Sequence, residues 1–404
     1  MALRRKLYSG SNFRRALSIE ELRSIARKRV PHFAFEYVEC GAEDEVTLHW
    51  NRSVFETIRF VPSTLVDTSA RHQRIDLFGR EASSPLIIAP TALNGMQRHH
   101  GDLALARAAA ATGIPFTLST FSNVRLEELA AGAGGRLWMQ LYIMKDRSIA
   151  RDIIGRADRA GYETLVLTSD ANAFGFREWD RRNYREPGKL SLRNIADVAC
   201  HPRWVLGVII PHGVPRFENI IQFLPPEAQS ARTGVAYLPR LLAPDVTWDD
   251  IKWLRQEWPR KLLLKGVLNV SDAQRAADLG CDGIVVSNHG GRQLDGCVSP
   301  IEVLPEIARA VGDRLVVIVD SGFRRGTDVV KAIALGAQAV MVGAATLYGL
   351  AAGGEEGVRH ALGILSREVD RVLGQLGCTS LAELGPHVLV QQQARGNMLG
   401  PVDL

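Results

Sequence analysis

Eight short apolar runs recur along this chain, most of them followed by a segment with helical periodicity. They are Pro85–Ala89, Ile114–Leu118, Leu137–Leu141 and Thr164–Leu167, then, after a gap, Leu262–Leu264, Gly283–Val286, Leu315–Val319 and Ala339–Val342. Continuous rather than alternating apolar character marks strands buried on both faces, as in a parallel sheet. The stretches between them read as helices: Asp102–Ala111, Val124–Ala131, Asp146–Ala160, Asp272–Leu279, Ile301–Ala310 and Thr327–Leu335. Most end near a glycine or another small residue, a common helix stop. Eight βα units closing on themselves make a (β/α)8 TIM barrel. An open doubly wound sheet is the alternative, and the number of units favours the barrel.

The fourth connection, Asp170 to Lys261, is far longer than a βα unit needs and predicts an insertion at about 178–260. Residues 1–84 form an N-terminal helical extension containing an amphipathic helix at Ile19–Arg29, and 85–354 form the barrel. Residues 355–404 read as C-terminal helices and tail: a helix pair at 355–385 and a loose end at 391–404.

Of the 404 residues 46% are hydrophobic and 23% charged, the balance of a soluble globular protein. A net charge of +5 suits an anionic substrate, an anionic membrane surface or nucleic acid alike. The basic residues are scattered, with no lysine-rich tail, so nucleic acid is not expected. Five widely spaced cysteines without a Cys-x-x-Cys pair argue against disulfides or zinc and for a reducing, cytoplasmic setting. No apolar segment follows the basic N-terminus as a signal peptide would require. Trp204–Ile210 is too short to span a bilayer. Gly132-Ala133-Gly134-Gly135 precedes a strand and reads as a turn. His99-His100 lack a third ligand by pattern and read as surface loop residues, so no metal is expected.

Barrel enzymes do their chemistry at the C-terminal ends of the strands. Those ends carry Pro90, Thr91 and Ala92, then Ser119, then Gln140 with Tyr142, then Thr168 with Asp170. Lys265, Ser287 with His289 to Arg292, Asp320 to Gly326, and Gly343 complete the circle. A phosphate site in such barrels commonly forms after strands seven and eight. There Gly322 and Gly343 would let N–H groups close on a phosphate, and Arg324 would add a bidentate charge. Flavin mononucleotide has such a phosphate and a ring that would lie across the mouth. Gln140 and Thr168 would bond the ring edge, and Lys265 would favour the anionic reduced form. His289 has the unperturbed pKa for a base near neutrality, and Asp170, on a neighbouring strand, would hold it. Arg177 and Arg292 are candidates for gripping a substrate carboxylate.

The segment Ser287-Asn288-His289-Gly290-Gly291-Arg292-Gln293-Leu294-Asp295 resembles the active-site signature of the FMN-dependent 2-hydroxy acid dehydrogenase and oxidase family. Support comes from Tyr37 with Gly41-Ala42-Glu43-Asp44, Pro90-Thr91-Ala92, Gln140-Leu141-Tyr142, Leu167-Thr168-Ser169-Asp170, Arg177-Glu178, Lys265-Gly266 and the Asp320–Gly326 loop. The likeness spans about residues 18–385. It implies that His289 is the base paired with Asp170, that Arg177 and Arg292 bind the carboxylate, and that Tyr37 and Tyr142 hydrogen-bond the substrate. The remaining strand-end residues, Pro90, Thr91, Ala92, Ser119, Gln140, Thr168, Lys265, Ser287, Asp320, Gly322, Arg324 and Gly343, would hold FMN. Hydride transfer and a carbanion route stay open.

Leu93-Asn94-Gly95, Gly101 to Arg107, His201-Pro202-Arg203-Trp204 and Ala345 to Leu350 resemble the members acting on mandelate, with quinone-linked lactate dehydrogenases next. The resemblance implies an (S)-2-hydroxy acid substrate, a quinone or other respiratory-chain acceptor and a homotetramer. It also implies peripheral contact with the inner face of the cell membrane through about 181–224, where Arg181, Arg182, Arg185, Lys189 and Arg193 precede apolar segments. Three departures stand out. Ala344 replaces the arginine that commonly follows this glycine, leaving Arg325 as the nearest substitute. Ala92 matches the oxidases, and the bulk of Phe121 and Phe174 in the pocket wall counts against an aromatic substrate. An oxygen-using oxidase, an FMN isomerase and a non-catalytic flavin-binding protein remain as alternatives.

Overall fold

The computed structural model describes residues 7–186 and 188–391. Its centre is a closed barrel of eight parallel strands in sequence order. They are β1 Leu86–Ile88, β2 Phe116–Leu118, β3 Leu137–Leu141, β4 Thr164–Thr168, β5 Lys261–Val267, β6 Gly283–Val286, β7 Val316–Val319 and β8 Ala339–Val342. All eight expected strands are there, and nearly every residue in them is buried. Inward-facing Ile87, Val166, Leu263, Val285, Ile318 and Met341 fill the barrel with Trp138. The alternate side chains, such as Ile88, Leu165 and Leu264, pack outward against the helices.

Seven barrel helices follow their strands directly or nearly so: α1 Gly101–Ala111, α2 Leu126–Ala133, α3 Arg147–Arg159, α5 Val270–Asp278, α6 Pro300–Val311, α7 Gly326–Ala334 and α8 Ala344–Leu376. The remaining one, α4, is Trp248–Glu257, opened by a Thr247 capping box. Its Asp250 and Glu257 pair with Arg147 and Arg151 of α3, so it occupies the fourth helix position. The insertion therefore ends before Thr247, earlier than the sequence suggested.

Within the insertion, a strand pair at Tyr184–Glu186 and Lys189–Leu190 leads to helix Leu192–Ala199 and then a helical stretch from Pro202 to His212. His99, expected in a surface loop, is half-buried and stacks on His212 at a centroid separation of 3.3 Å, joining the loop after β1 to the insertion. Burial, and after it the neighbouring His100 and His212, push the His99 pKa down to about 4.

The N-terminal extension contains helices Ile19–Arg27, His32–Glu39 and Val46–Ser53. At the other end, the helix pair expected at 355–385 is instead the second limb of α8, which bends at Gly354 (φ +62°) and runs to Leu376. Strand Leu389–Gln391 then pairs antiparallel with Ile58–Phe60, joining the C-terminal end of the described chain to the segment that follows the N-terminal helices. Apart from Gln391, the tail expected to be loose lies outside the described residues.

Candidate active site

Strand alternation selects the side chains at the barrel mouth. Two residues beyond the inward-facing core positions lie Ala89, Gln140, Thr168, Lys265, Ser287, Asp320 and Gly343, which face inward by the same period. A cavity of about 1420 Å³ opens above them. It is lined by Pro90, Thr91, Ala92, Ser119, Gln140, Thr168, Lys265, Asp320, Gly322, Arg324 and Gly343, together with Tyr37, Tyr142, Arg177, His289 and Arg292. Ser287, expected at the cofactor, is fully buried behind this lining. Its hydroxyl accepts hydrogen bonds from Lys265 Nζ at 2.7 Å and the His289 N–H at 3.0 Å. Its place is that of a support for both.

After β6 the chain makes three successive left-handed residues, His289 (φ +59°), Gly290 and Gly291. A side chain at Gly291 is excluded, because a Cβ would lie 2.6 Å from the Leu48 nitrogen. His289 accepts an unfavourable backbone conformation and lies where Nδ1 meets Asp170 Oδ1 at 2.8 Å. Asp170 is not on the adjacent strand as expected; β5 lies between β4 and β6. Burial works against the Asp170 carboxylate, but His289 and Lys265 hold its pKa below the usual range.

Arg292 donates from Nη1 to the Cys40 carbonyl at 2.7 Å and from Nη2 to the Tyr37 carbonyl at 2.9 Å. Its guanidinium and that of Arg177 lie 5.3 and 5.8 Å from the Tyr37 ring centroid. Burial raises the Tyr37 and Tyr142 pKa values, so both phenols keep their protons and can donate. Phe121, whose bulk counted against an aromatic substrate, stacks on Tyr142 at 5.1 Å and meets Phe217 edge-on at 6.0 Å. It is 3% exposed and, like Phe174, lines the cavity wall as expected.

Deeper in the mouth, Gln140 donates to Thr168 Oγ1 at 3.0 Å and accepts from the Thr120 N–H at 3.1 Å. Lys265 lies 3.0 Å from Asp320 Oδ2. Burial disfavours its charge, yet Asp320 and Asp170 raise its pKa and keep it an ammonium. At the opposite end, Gly322 (φ +86°) passes so close to Asn51 that a Cβ would meet its carbonyl oxygen. Arg324 donates to the Tyr348 hydroxyl at 3.0 Å. Tyr348 bonds Glu39, which Arg23 holds at 2.6 Å. Arg325, the expected substitute for an arginine at 344, is paired with Glu368 at 2.8 Å.

The family profile described as FMN-dependent dehydrogenase matches residues 26–391. The chain belongs to this family. It is 44% identical to (S)-mandelate dehydrogenase of Pseudomonas putida over 96% of each chain. It is also 41% identical to L-lactate oxidase of a Nostoc species, over 91% of this chain and 96% of that one. A crystal structure of the monotopic membrane protein (S)-mandelate dehydrogenase superposes with a TM-score of 0.89 at 44% identity, covering 94% of this chain and 100% of that one.

FMN is the family's cofactor, and the cavity suits it. Thr91 Oγ1 is buried in the lining without a partner among the described residues, a free hydrogen-bonding group of the kind a ligand would satisfy. Gly343 adjoins it, where a Cβ would stand 3.6 Å from Thr91 Cγ2 and 3.8 Å from Ala89 Cβ. Lys265 supplies a fixed positive charge at the barrel axis.

Sequence reasoning missed the residues that carry the N-terminal extension to the site. Asn51 and Asn288 exchange amide hydrogen bonds of 2.8 and 2.9 Å. Asp295 accepts from the N–H groups of Val46 and Thr47, capping helix Val46–Ser53 from another part of the chain. Asp295 was inside the recognised signature, and an acidic residue ending such a motif was a signal for a helix cap. Tyr348, one turn into α8 after Gly343, was findable from its position beside the phosphate loop.

Proposed function

We propose that the chain oxidises an (S)-2-hydroxy acid with a mandelate-like, aryl side chain to the 2-keto acid, with His289 as the base. The observation that carries this reading is the His289–Asp170 contact at the edge of a cavity that also holds Arg177, Arg292, Tyr37 and Tyr142. The Asp170 carboxylate beside His289 Nδ1 fixes the imidazole tautomer. With Nδ1–H donated to Asp170, Nε2 is the free acceptor that takes the substrate hydroxyl proton, and the Asp170 charge stabilises the resulting imidazolium. Arg177 and Arg292 bind the carboxylate, while the Tyr37 and Tyr142 hydroxyls orient the α-oxygen. FMN, when bound, supplies the two-electron acceptor, held by Pro90, Thr91, Ala92, Ser119, Gln140, Thr168 and Lys265 at the ring and Gly322, Arg324 and Gly343 at the phosphate. The Phe121, Tyr142 and Phe217 wall supports an aromatic substrate over lactate.

No helix among the described residues is long and apolar enough to cross a membrane. Leu206 and Ile210 are 61% and 68% exposed on the insertion, which supports peripheral contact with the inner face of the cell membrane. That location suits a membrane quinone as the final acceptor, and the family resemblance supports a homotetramer.

Anaerobic mixing with (S)-mandelate, lactate and glycolate tests the reading. The bound flavin should bleach fastest with mandelate. Preference for lactate would overturn the substrate assignment, and no bleaching with any of the three would overturn the reaction.

A further inference from the structure

Away from the active site, a small polar cleft of about 190 Å³ lies between the end of helix Ile19–Arg27, the start of helix His32–Glu39 and helix Leu192–Ala199 of the insertion. It is lined by Arg27, His32, Arg193, Asn194, Asp197 and His201. Neither Arg27 nor Arg193 makes an ion pair or side-chain hydrogen bond among the described residues. The one carboxylate lining the cleft is already engaged: Asp197 Oδ2 accepts the His32 N–H at 2.6 Å. The His201 Nδ1–H is given to the Asp197 carbonyl at 2.8 Å, which turns Nε2 away from that bond. Two uncommitted guanidiniums in a polar hollow make a site for an anion with several acceptor oxygens.

The surroundings indicate where that anion comes from. Helix Leu192–Ala199 turns Leu192 and Ile195 to solvent, 71% and 47% exposed, although these positions lie one turn apart on a face where a solvated helix carries polar residues. Leu206 and Ile210 continue the exposed apolar surface just past His201. Nearby, Arg29 feels the like charges of Arg98 and Arg203, a concentration of positive charge drawn from three separate chain segments. Apolar residues beside uncompensated arginines match a bilayer surface, in which a charged phosphate layer overlies hydrocarbon.

We propose that this cleft is a headgroup site: Arg27 and Arg193 grip the phosphate of an anionic phospholipid while Leu192, Ile195, Leu206 and Ile210 enter the interface beside it. This inference rests on the membrane contact proposed above and adds two things. The contact is selective for anionic phospholipid, and residues of the N-terminal extension share it with the insertion. Neither arginine reaches the barrel mouth, so the site is separate from the chemistry.

Co-sedimentation of the FMN-loaded full chain with vesicles of phosphatidylcholine alone, or mixed with phosphatidylglycerol, tests it. The mixed vesicles should bind markedly better, and the advantage should fade with salt. In Arg27→Gln/Arg193→Gln, affinity for the mixed vesicles should drop on the order of 10- to 30-fold. The unchanged flavin spectrum and turnover of a soluble substrate should show that the variant is folded. Equal binding of both vesicle types, or a variant that binds like the parent, would overturn the headgroup site while leaving membrane contact intact. Failure of the parent chain to bind any vesicle would instead remove the membrane reading and this inference with it.

Discussion

His289 and Asp170 meet across an intervening strand, and Gly266 is what lets them do so. The imidazole follows β6 and the carboxylate follows β4, yet Nδ1 and Oδ1 lie 2.8 Å apart over β5. Gly266, in β5 beneath the pair, has φ +106°, and a Cβ there would fall 2.8 Å from Asp170 Cβ and 2.9 Å from its Cγ. Gly266→Ala should therefore displace the carboxylate and strain the strand. Flavin reduction should slow by more than about tenfold with the cofactor still bound, as a small misplacement of a reacting group does. Stopped-flow reduction at parent-like rates would show that the carboxylate has room to move.

His289→Gln retains a hydrogen-bonding side chain but no base. It should bind FMN and lose on the order of 10² to 10⁴ in the rate of flavin reduction. Rates near the parent's would place proton abstraction elsewhere.

The Arg177 side chain makes no hydrogen bond among the described residues, whereas Arg292 also holds the Tyr37 and Cys40 carbonyls. Arg177→Met should then lower kcat/KM by about 10- to 100-fold through loss of a charged hydrogen bond, with little change in melting temperature. Arg292→Met should lower both, because it also detaches the N-terminal extension. Matching losses of stability in the two variants would contradict this division of labour.

Lys265 and Asp320 are both almost fully buried and 3.0 Å apart. Lys265→Met leaves Asp320 buried without its main counter-charge, at a cost of about 3–5 kcal/mol. Lys265→Met/Asp320→Asn should recover much of that stability without restoring flavin reduction. Denaturant unfolding of the two variants separates the structural role from the chemical one.

Asp102, at the start of α1, is 0% exposed and holds the Asn94 side chain at 2.8 Å and the Asn123 N–H at 3.2 Å. Burial, opposed by these hydrogen bonds, raises its pKa to about 6. The folded chain thus binds this proton more tightly than the unfolded chain does. Its contribution is complete below about pH 4 and is lost as the pH climbs through about 6. Asp102→Asn cannot ionise, so relative to the parent it should gain stability between pH 4.5 and 7, by up to about 3 kcal/mol. Urea unfolding at several pH values measures this, and a difference independent of pH would count against it.

The barrel was legible because its strands are buried on both faces, and an unbroken run such as Leu315–Val319, too short to span a bilayer, has few other uses. The site was legible for a related reason. The inward period of each strand carries straight from core to mouth, so Val166 leads to Thr168 and Leu263 to Lys265. Contacts between distant segments were not legible. Nothing local marks Asn51 as the partner of Asn288, or Glu39 as the partner of Tyr348, because those pairings exist only after the extension has folded over the mouth. The insertion was recognisable by its length alone. Its end was misplaced because Trp248–Glu257 carries a helical pattern that suits either an excursion or the barrel wall.

The pairing of Ile58–Phe60 with Leu389–Gln391 also sets an order of events. These segments lie far apart in the sequence, so loop closure between them is among the last contacts a growing polypeptide can make. Tyr37 and the helices that cover the flavin end belong to the part that this seam anchors. The extension is therefore held at two places, by this seam and by the contacts of Asn51 with Asn288 and of Asp295 with the Val46 and Thr47 N–H groups, so the roof over the substrate half of the pocket is fastened on both sides.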